Sequence, residues 1–195
     1  MGGCPGAGKT EFSKSFTSYW NKQNQNHKIA RIDPDEVRET LPNYRHEDSE
    51  TFQGATALGI EKLIDFVLHN NQNFLLDGTF SNYKVSSTNI SRSIKKGRSV
   101  IVIYIYQDPV VAWEFTQKRA VVEERIVPKQ AFVRSFFNSM ENIKIAKKEF
   151  GNRIQIELII KNFQEDKETT FSDIYDIDKY IKFEYNEEEL LKILL

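Results

Sequence analysis

Cysteine is almost missing from this 195-residue chain: Cys4 stands alone, so no intramolecular disulfide is available and a disulfide-stapled secreted scaffold is excluded. Long apolar runs are missing too. No stretch approaches the roughly 20 apolar residues of a membrane-spanning helix, and no basic-then-apolar leader opens the chain, so a membrane partner is not expected and the expected compartment is the cytoplasm. Charge of one sign is not in excess: 27 Lys and Arg face 28 Asp and Glu, for a net charge of −1. That balance lacks the electrostatic footprint of a nucleic-acid or anionic-membrane binder and points to a small partner. Repeats, low-complexity tracts and a Pro/Gly/Ser-rich linker are not found, and 39% hydrophobic content over this length suits one core better than two. A single domain over residues 1–195 is therefore expected. His27, His46 and His69 show no metal-ligand spacing, which argues against a zinc site.

What the chain does have stands at its start. Gly3-Cys4-Pro5-Gly6-Ala7-Gly8-Lys9-Thr10 satisfies G-x-x-x-x-G-K-[ST] at every fixed position. The glycines permit backbone angles at which successive amide N–H groups converge on one anionic point, so the stretch reads as a phosphate cradle. In that reading Lys9 neutralises the β- and γ-phosphates of ATP, Thr10 holds Mg²⁺, and the helix that follows adds its positive dipole end. A chance Gly-rich turn is the alternative, and the amphipathic pattern directly behind the motif weighs against it. Cys4 inside such a loop gains electrostatic favour for its thiolate, but any small residue fits there equally well. Only Met1 and Gly2 precede Gly3, so the buried strand that ordinarily feeds a loop of this kind is missing, and a domain truncated at its N-terminus is expected.

Along the chain, Phe12, Phe16, Tyr19 and Trp20 recur at helical spacing and predict an apolar stripe. Asn21-Lys22-Gln23-Asn24 has the outline of a guanine-reading N-K-x-D, but an asparagine stands where the base-binding aspartate belongs, so it reads as loop. KIARI, residues 28–32, predicts a buried strand that runs into Asp33-Pro34-Asp35, carboxylates at the strand end where parallel sheets bind ligands. A long helix is expected from about Glu47 to Asn70, with Leu58, Ile60, Leu63, Ile64, Val67 and Leu68 as its apolar face. Phe74-Leu75-Leu76-Asp77 has the form of a strand ending in a Mg²⁺-supporting acid, a weak signal alone. Lys84 to Lys96 predicts a helix stopped by Gly97, and SVIVIYIY, residues 99–106, predicts a strand buried on both faces. Helices are expected to open at Asp108-Pro109 and at Pro128, the second ending at Gly151; Ile154 to Ile160 predicts a last core strand, and EEELLKILL a short packed helix. Strands alternating with helices imply parallel βαβ units, hence an α/β fold of the P-loop NTPase type, a mostly parallel sheet flanked by helices. Its usual first strand is the missing one.

Two sets of charged residues bear on chemistry. Asp33 and Asp35 both stand at a strand end, and spacing alone does not choose between them as a base; an Asx-type turn or helix cap opening DEVRE is the alternative. Lys118, Arg119, Arg125, Lys129 and Arg134 form a basic cluster late in the chain. A solvated helix face explains such a cluster, whereas phosphoryl transfer requires cations near the transferring group.

These residues together resemble the zeta toxin family, P-loop kinases that phosphorylate UDP-N-acetylglucosamine, over the span from the loop to about residue 160. The family's G-x-P-G-[AS]-G-K-T loop is matched by Gly3 to Thr10, its D-x-D strand end by Asp33 and Asp35, and its Pro-Asn-aromatic element by Pro42-Asn43-Tyr44. A helical glutamate that contacts the sugar nucleotide falls at Glu61. The family's E-G-T is matched by Asp77-Gly78-Thr79, with aspartate in place of glutamate, and R-x-x-P-K-[QE]-A by Arg125 through Ala131, preceded by Arg119. Ser81 stands where toxins of the family carry an arginine. The resemblance implies Asp35 as the base, Arg119 and Arg125 near the phosphates, Glu61, Asp77, Thr79 and Asn43 toward the acceptor, Thr10 and Asp77 toward Mg²⁺, and an antitoxin protein as a possible partner. The expectation is an ATP- and Mg²⁺-dependent small-molecule kinase; a kinase of another acceptor, or an ATPase switch that transfers no phosphate to a substrate, is the alternative.

Overall fold

A computed structural model describes residues 1–45, 51–123, 126–163, 165, 167–183 and 185–194. The chain divides into two compact units: Met1–Gly8, Thr79–Lys118 and Ile126–Leu195 make up the first, Lys9–Gly78 and Arg119–Arg125 the second.

The second unit opens with α1 (Lys9–Gln23), then β1 (Ile29–Ile32), α2 (Pro34–Glu39), α3 (Gln53–His69) and β2 (Asn73–Leu76). β1 and β2 pair in parallel, from Ile29 beside Asn73 to Ile32 beside Leu76. Ile32, Ile64, Val67 and Leu68 form the buried core, with Ala30, Ile60, Phe74 and Leu76 packed against it. Leu58 and Leu63, expected on the apolar face of α3, are instead 57% and 39% exposed. The core accepts only a narrow stripe, and both leucines lie beside it. The expected start near Glu47 falls outside the described residues. The stripe of α1 is also corrected. Phe12, Phe16 and Trp20 stack along the helix at 5.8 and 6.2 Å and are only half-buried, Tyr19 is exposed, and the buried line is Ser13 and Thr17. Ser13 in that line meets Arg31 and Asp77, and the Thr17 hydroxyl donates to Ser13 O at 2.7 Å.

The first unit holds α4 (Tyr83–Lys95), β3 (Val100–Gln107), α5 (Pro109–Glu123, shared with the second unit), α6 (Lys129–Phe150), β4 (Ile154–Asn162), β5 (Lys167–Phe171) and α7 (Glu187–Ile193). Local signals place the helix ends: Asn82 caps α4, Gly97 follows it at φ +68°, Asp108 accepts from Val110 N–H at 2.9 Å, and Gly151 ends α6 at φ +57°. β3 and β4 run parallel, from Val100 beside Ile154 to Gln107 beside Lys161. Tyr104, Ile105, Phe132, Phe136, Ile143 and Leu158 fill the core between sheet and helices. β3 is not buried on both faces throughout, since Ile101 near its start is half exposed. β5 adds an antiparallel edge strand, Lys167 to Phe171, whose threonines suit a strand and whose charges suit a solvent-facing edge. Ahead of the loop the described residues hold a single rung of strand. Gly2 bridges Tyr104 in parallel, donating to Ile103 O at 2.8 Å and accepting from Ile105 N–H at 3.0 Å.

Candidate functional site

In the first unit, the rung at Gly2 leads into a loop built from backbone. Gly3 N–H donates to Thr79 O at 3.1 Å and Ala7 N–H to Cys4 O at 3.3 Å, while Cys4 and Ala7 are buried underneath. Gly6 has φ +74°, and a Cβ there would lie 2.0 Å from Ala112 O and 2.7 Å from Thr116 Oγ1. No other residue fits. Gly8 has φ +80°, and its missing side chain leaves room for Lys161 Nζ, which would stand 2.8 Å from a Cβ. Among the described residues the N–H groups of Gly6 and Gly8 have no hydrogen-bond acceptor, which is what a loop that binds an anion through its amides requires. Lys161 also lines a cavity of about 550 Å³ at the C-terminal ends of β3 and β4, walled by Tyr106, Gln107, Asp108, Glu114 and Phe163 among others. An open cleft at the carboxyl ends of parallel strands is where α/β sheets bind ligands.

In the second unit, the ends of β1 and β2 carry a charged network centred on Arg31. Because the strands pair in parallel through Ile32 and Leu76, the residues that follow them emerge together, and Asp77 N–H bonds Ile32 O at 2.8 Å. Asp77 Oδ2 accepts from Ser13 Oγ at 2.6 Å and from Arg31 Nη2 at 3.3 Å. Arg31 also pairs with Asp33, donates to Glu36 Oε1 at 2.6 Å and reaches Ser13 Oγ at 2.8 Å through Nε. Burial opposes the Arg31 cation, but the surrounding carboxylates outweigh it and its pKa stands above the ordinary arginine value. Burial pushes the Asp33 carboxyl above its ordinary value, against the pull of the Asp35 N–H and of Arg31. Asp33 is the N-cap of α2, accepting from Asp35 N–H at 2.8 Å with Pro34 as the first helical residue. The capping role therefore belongs to Asp33. Asp35 stands in the first turn of α2, its side chain 37% exposed, and its Oδ1 accepts from Arg38 Nη1 at 2.7 Å. Arg38 is buried, and among the described residues its Nε has no partner.

Sequence reasoning missed Arg31, Ser13 and Arg38. Arg31 had a readable signal, since an arginine inside an apolar strand is tolerated only where carboxylates meet it. Lys9 and Thr10 stand in the first turn of α1, where the helix dipole favours an anion, and Thr10 O accepts from Ser13 Oγ at 3.0 Å. The Thr10 hydroxyl and the Asp77 carboxylate are hard oxygen donors of the kind Mg²⁺ takes in ones or twos beside nucleotide phosphates. Among the described residues no group of three or more His, Cys, Asp or Glu is placed to hold a metal by itself. The donor set thus suits a metal shared with a phosphate ligand.

The remaining candidates fall in different places. Glu61 is exposed on α3, and Asn43 is exposed in a turn at φ +62°; neither hydrogen-bonds the Arg31 network among the described residues. Tyr44 beside it packs edge-on against Phe52 at 5.6 Å. In the first unit, Thr79 Oγ1 lies 2.7 Å from Ser81 Oγ. Arg119 is half-buried on α5, whereas Arg125 lies outside the described residues. The basic cluster is otherwise dispersed: Lys118 lies over the Phe115 ring, Lys129 Nζ donates to Leu194 O at 2.5 Å, and the exposed Arg134 bonds Gln130 O. No helix among the described residues is long and apolar enough to cross a membrane.

Parallel strands with helical crossovers, a glycine-built loop opening a helix and an acid directly after β2 define an α/β protein of the P-loop NTPase type. The zeta toxin family model matches residues 1–179, and the chain belongs to that family of P-loop, kinase-like proteins. Among solved structures, a chain from the PezAT chromosomal toxin-antitoxin system of the human pathogen Streptococcus pneumoniae is similar in fold. It has a TM-score of 0.69 at 19% identity, with 98% of this chain and 81% of that one covered. No curated protein sequence matches the chain.

Proposed function

We propose that the chain is an ATP- and Mg²⁺-dependent kinase that transfers the γ-phosphate to a hydroxyl of a small molecule, with UDP-N-acetylglucosamine as the leading acceptor. The observation that carries this reading is the loop at Gly6, where the approach of Ala112 O excludes every side chain and leaves amides to meet a phosphate. The cavity beside Lys161, with Tyr106 and Phe163 in its wall, offers aromatic surface to the nucleotide base. In the proposed transfer the acceptor oxygen bonds the γ-phosphorus, the bond from that phosphorus to the β–γ bridging oxygen breaks, and ADP leaves. Asp35 takes the hydroxyl proton, with Arg38 holding its carboxylate in one orientation. Lys9, Arg119 and Arg125 balance the charge that spreads over the transferring group. Thr10 and Asp77 would hold Mg²⁺, which supplies charge neutralisation at the phosphates. Gly3 to Thr10 cradle the phosphates, and Glu61, Asp77, Thr79 and Asn43 serve the acceptor side. We further propose that residues 1–195 act as one kinase domain with an antitoxin protein as partner, a pairing supported by the toxin-antitoxin origin of the similar structure.

An acceptor other than UDP-N-acetylglucosamine is favoured by one feature: Ser81 is held against Thr79 and presents a hydroxyl where the resemblance leads one to expect an arginine. Incubation with ATP, Mg²⁺ and a panel of sugar nucleotides, followed by mass spectrometry, decides. Added phosphate on UDP-N-acetylglucosamine supports the full reading, and added phosphate on another panel member supports the kinase with a different acceptor. ADP release at the same rate with and without every acceptor contradicts both and favours an ATPase switch.

A further inference from the structure

Lys161 is the next-to-last residue of β4, beside Gln107 of β3, and its side chain does not run out into solvent. It enters the space left by Gly8. Nζ lies 3.5 Å from Gly8 O and 3.9 Å from Glu168 Oε2 of β5, and the side chain is 25% exposed. Both contacts are long for an ammonium that carries three donors, and among the described residues Lys161 makes no shorter one. The chain therefore holds a second, loosely paired cation against a phosphate loop that already contains Lys9.

The contact with Gly8 O has a geometric consequence. A trans peptide is planar, so its C=O and the next residue's N–H point in opposite directions. Gly8 stands just before α1, so its carbonyl heads the helix and the Lys9 N–H points out of the helix N-terminus, while Lys161 Nζ approaches from the carbonyl side. Two further features fit this arrangement: the glycine at φ +80° admits Nζ where any Cβ would clash, and β4 is anchored under the loop by eight paired positions along β3.

We propose that Lys161 is a phosphate-affinity residue: from the space left by Gly8 it adds a loosely paired positive charge beside the loop amides, free to turn toward an anion bound there. The proposal rests on the reading of the loop as an ATP site. It assigns to the end of β4 a role in phosphate affinity beyond its place in the wall of the cavity. Glu168 is the charge facing Lys161, and its carboxylate moderates the ammonium when no anion is bound.

The test compares ADP with adenosine, which shares the base and sugar but has no phosphate, by calorimetric titration of the whole chain. Lys161→Met keeps the stem and removes the charge. It should weaken ADP binding by about tenfold or more, the scale of a charge-assisted hydrogen bond, and weaken adenosine binding, which involves the cavity wall alone, by much less. It should also reduce the salt dependence of ADP binding, and in turnover raise KM for ATP more than it lowers kcat. Lys161→Gln, which retains a donor without the charge, should fall between Met and wild type and serves as the second variant if Met unfolds the edge of the sheet. Equal losses for ADP and adenosine, or unchanged ADP affinity in both variants, would overturn the role of Lys161 while the wild type still binds ADP. A wild type that binds ADP no better than adenosine would overturn the ATP-site reading and this proposal with it.

Discussion

The glycine loop that follows Gly2 and the charged ends of β1 and β2 are built on opposite principles. In the first unit the loop from Gly3 to Gly8 is shaped by backbone: positive φ at three glycines, a carbonyl 2.0 Å from where a Cβ would stand, and amides left without acceptors. In the second unit the ends of β1 and β2 are shaped by side chains, with Arg31 drawing Asp33, Glu36, Asp77 and Ser13 onto one guanidinium. Backbone recognition is encoded by consecutive residues and tolerates almost no substitution at its tightest point. Side-chain recognition is encoded by residues 2 to 64 positions apart, and its long-range members depend on the parallel register that brings them together.

The comparison breaks most readily at Gly6. Gly6→Ala introduces a Cβ into Ala112 O at a backbone angle that L-residues avoid, so ADP affinity should fall by at least about a hundredfold with the rest of the fold intact by circular dichroism. A Gly6→Ala protein that still binds ADP normally would show that the loop is not shaped by backbone.

Next in size is the cationic arm of the transfer. Arg119→Ala should lower kcat by about 10²-fold, the cost of one donor to a charged transition state. Lys118→Ala and Arg134→Ala, which remove a ring contact and an exposed helix-side bond, should stay near wild type. Equal mild effects at all three would return the cluster to a solvated helix surface.

The side-chain unit should fail through stability. Arg31→Met leaves the Asp33 and Asp77 carboxylates buried without their cation, and breaking a buried pair in this way costs about 3–5 kcal/mol in urea unfolding. Adding Asp33→Asn to Arg31→Met should recover part of that loss; a loss that stays the same or grows would argue against Arg31 as the centre of the network.

The smallest effect concerns pH. Burial raises the Asp33 carboxyl in the folded protein, so the folded state binds that proton more tightly than the unfolded chain does. The resulting stability is present below the ordinary aspartate pKa and is lost as pH rises through the raised value. Arg31 stays charged throughout. Wild-type stability relative to Asp33→Asn should therefore decline as pH rises from below the ordinary aspartate range to neutrality, measured by urea midpoints at both ends. A gap that widens with pH would mean that the Arg31 pair, and not burial, dominates Asp33.

What could be read from the sequence follows the same division. The loop, the strand of residues 99–106 and the helices opening at Asp108-Pro109 and Pro128 were legible because contiguous residues carry their own geometry: glycines for positive φ, β-branched runs for strands, caps for helix ends. β5 was not, since Lys167 to Phe171 has too much charge and too little apolar alternation to stand out from an acidic tail. The stripe of Phe12, Phe16, Tyr19 and Trp20 misled for a related reason. Helical spacing finds a face without saying which face turns inward, and here Ser13 turns inward to Asp77 while the Thr17 hydroxyl is satisfied by the Ser13 carbonyl one turn before. Asp33 and Asp35 were both visible as acids at a strand end. Only the capping bond to Asp35 N–H separates the two, and that bond is a property of the folded turn.

If the loop holds the nucleotide while Asp35 accepts the proton of the acceptor hydroxyl, one variant separates the two roles. Asp35→Asn keeps the size of the side chain and removes its basicity. ADP titration should give wild-type affinity, because no part of the loop is altered, while phosphotransfer to the acceptor found by mass spectrometry should fall by roughly 10²–10⁴-fold. An Asp35→Asn enzyme that retains more than about a tenth of wild-type phosphotransfer, far above the smallest loss expected for a general base, would contradict the assignment and remove Asp35 from the mechanism.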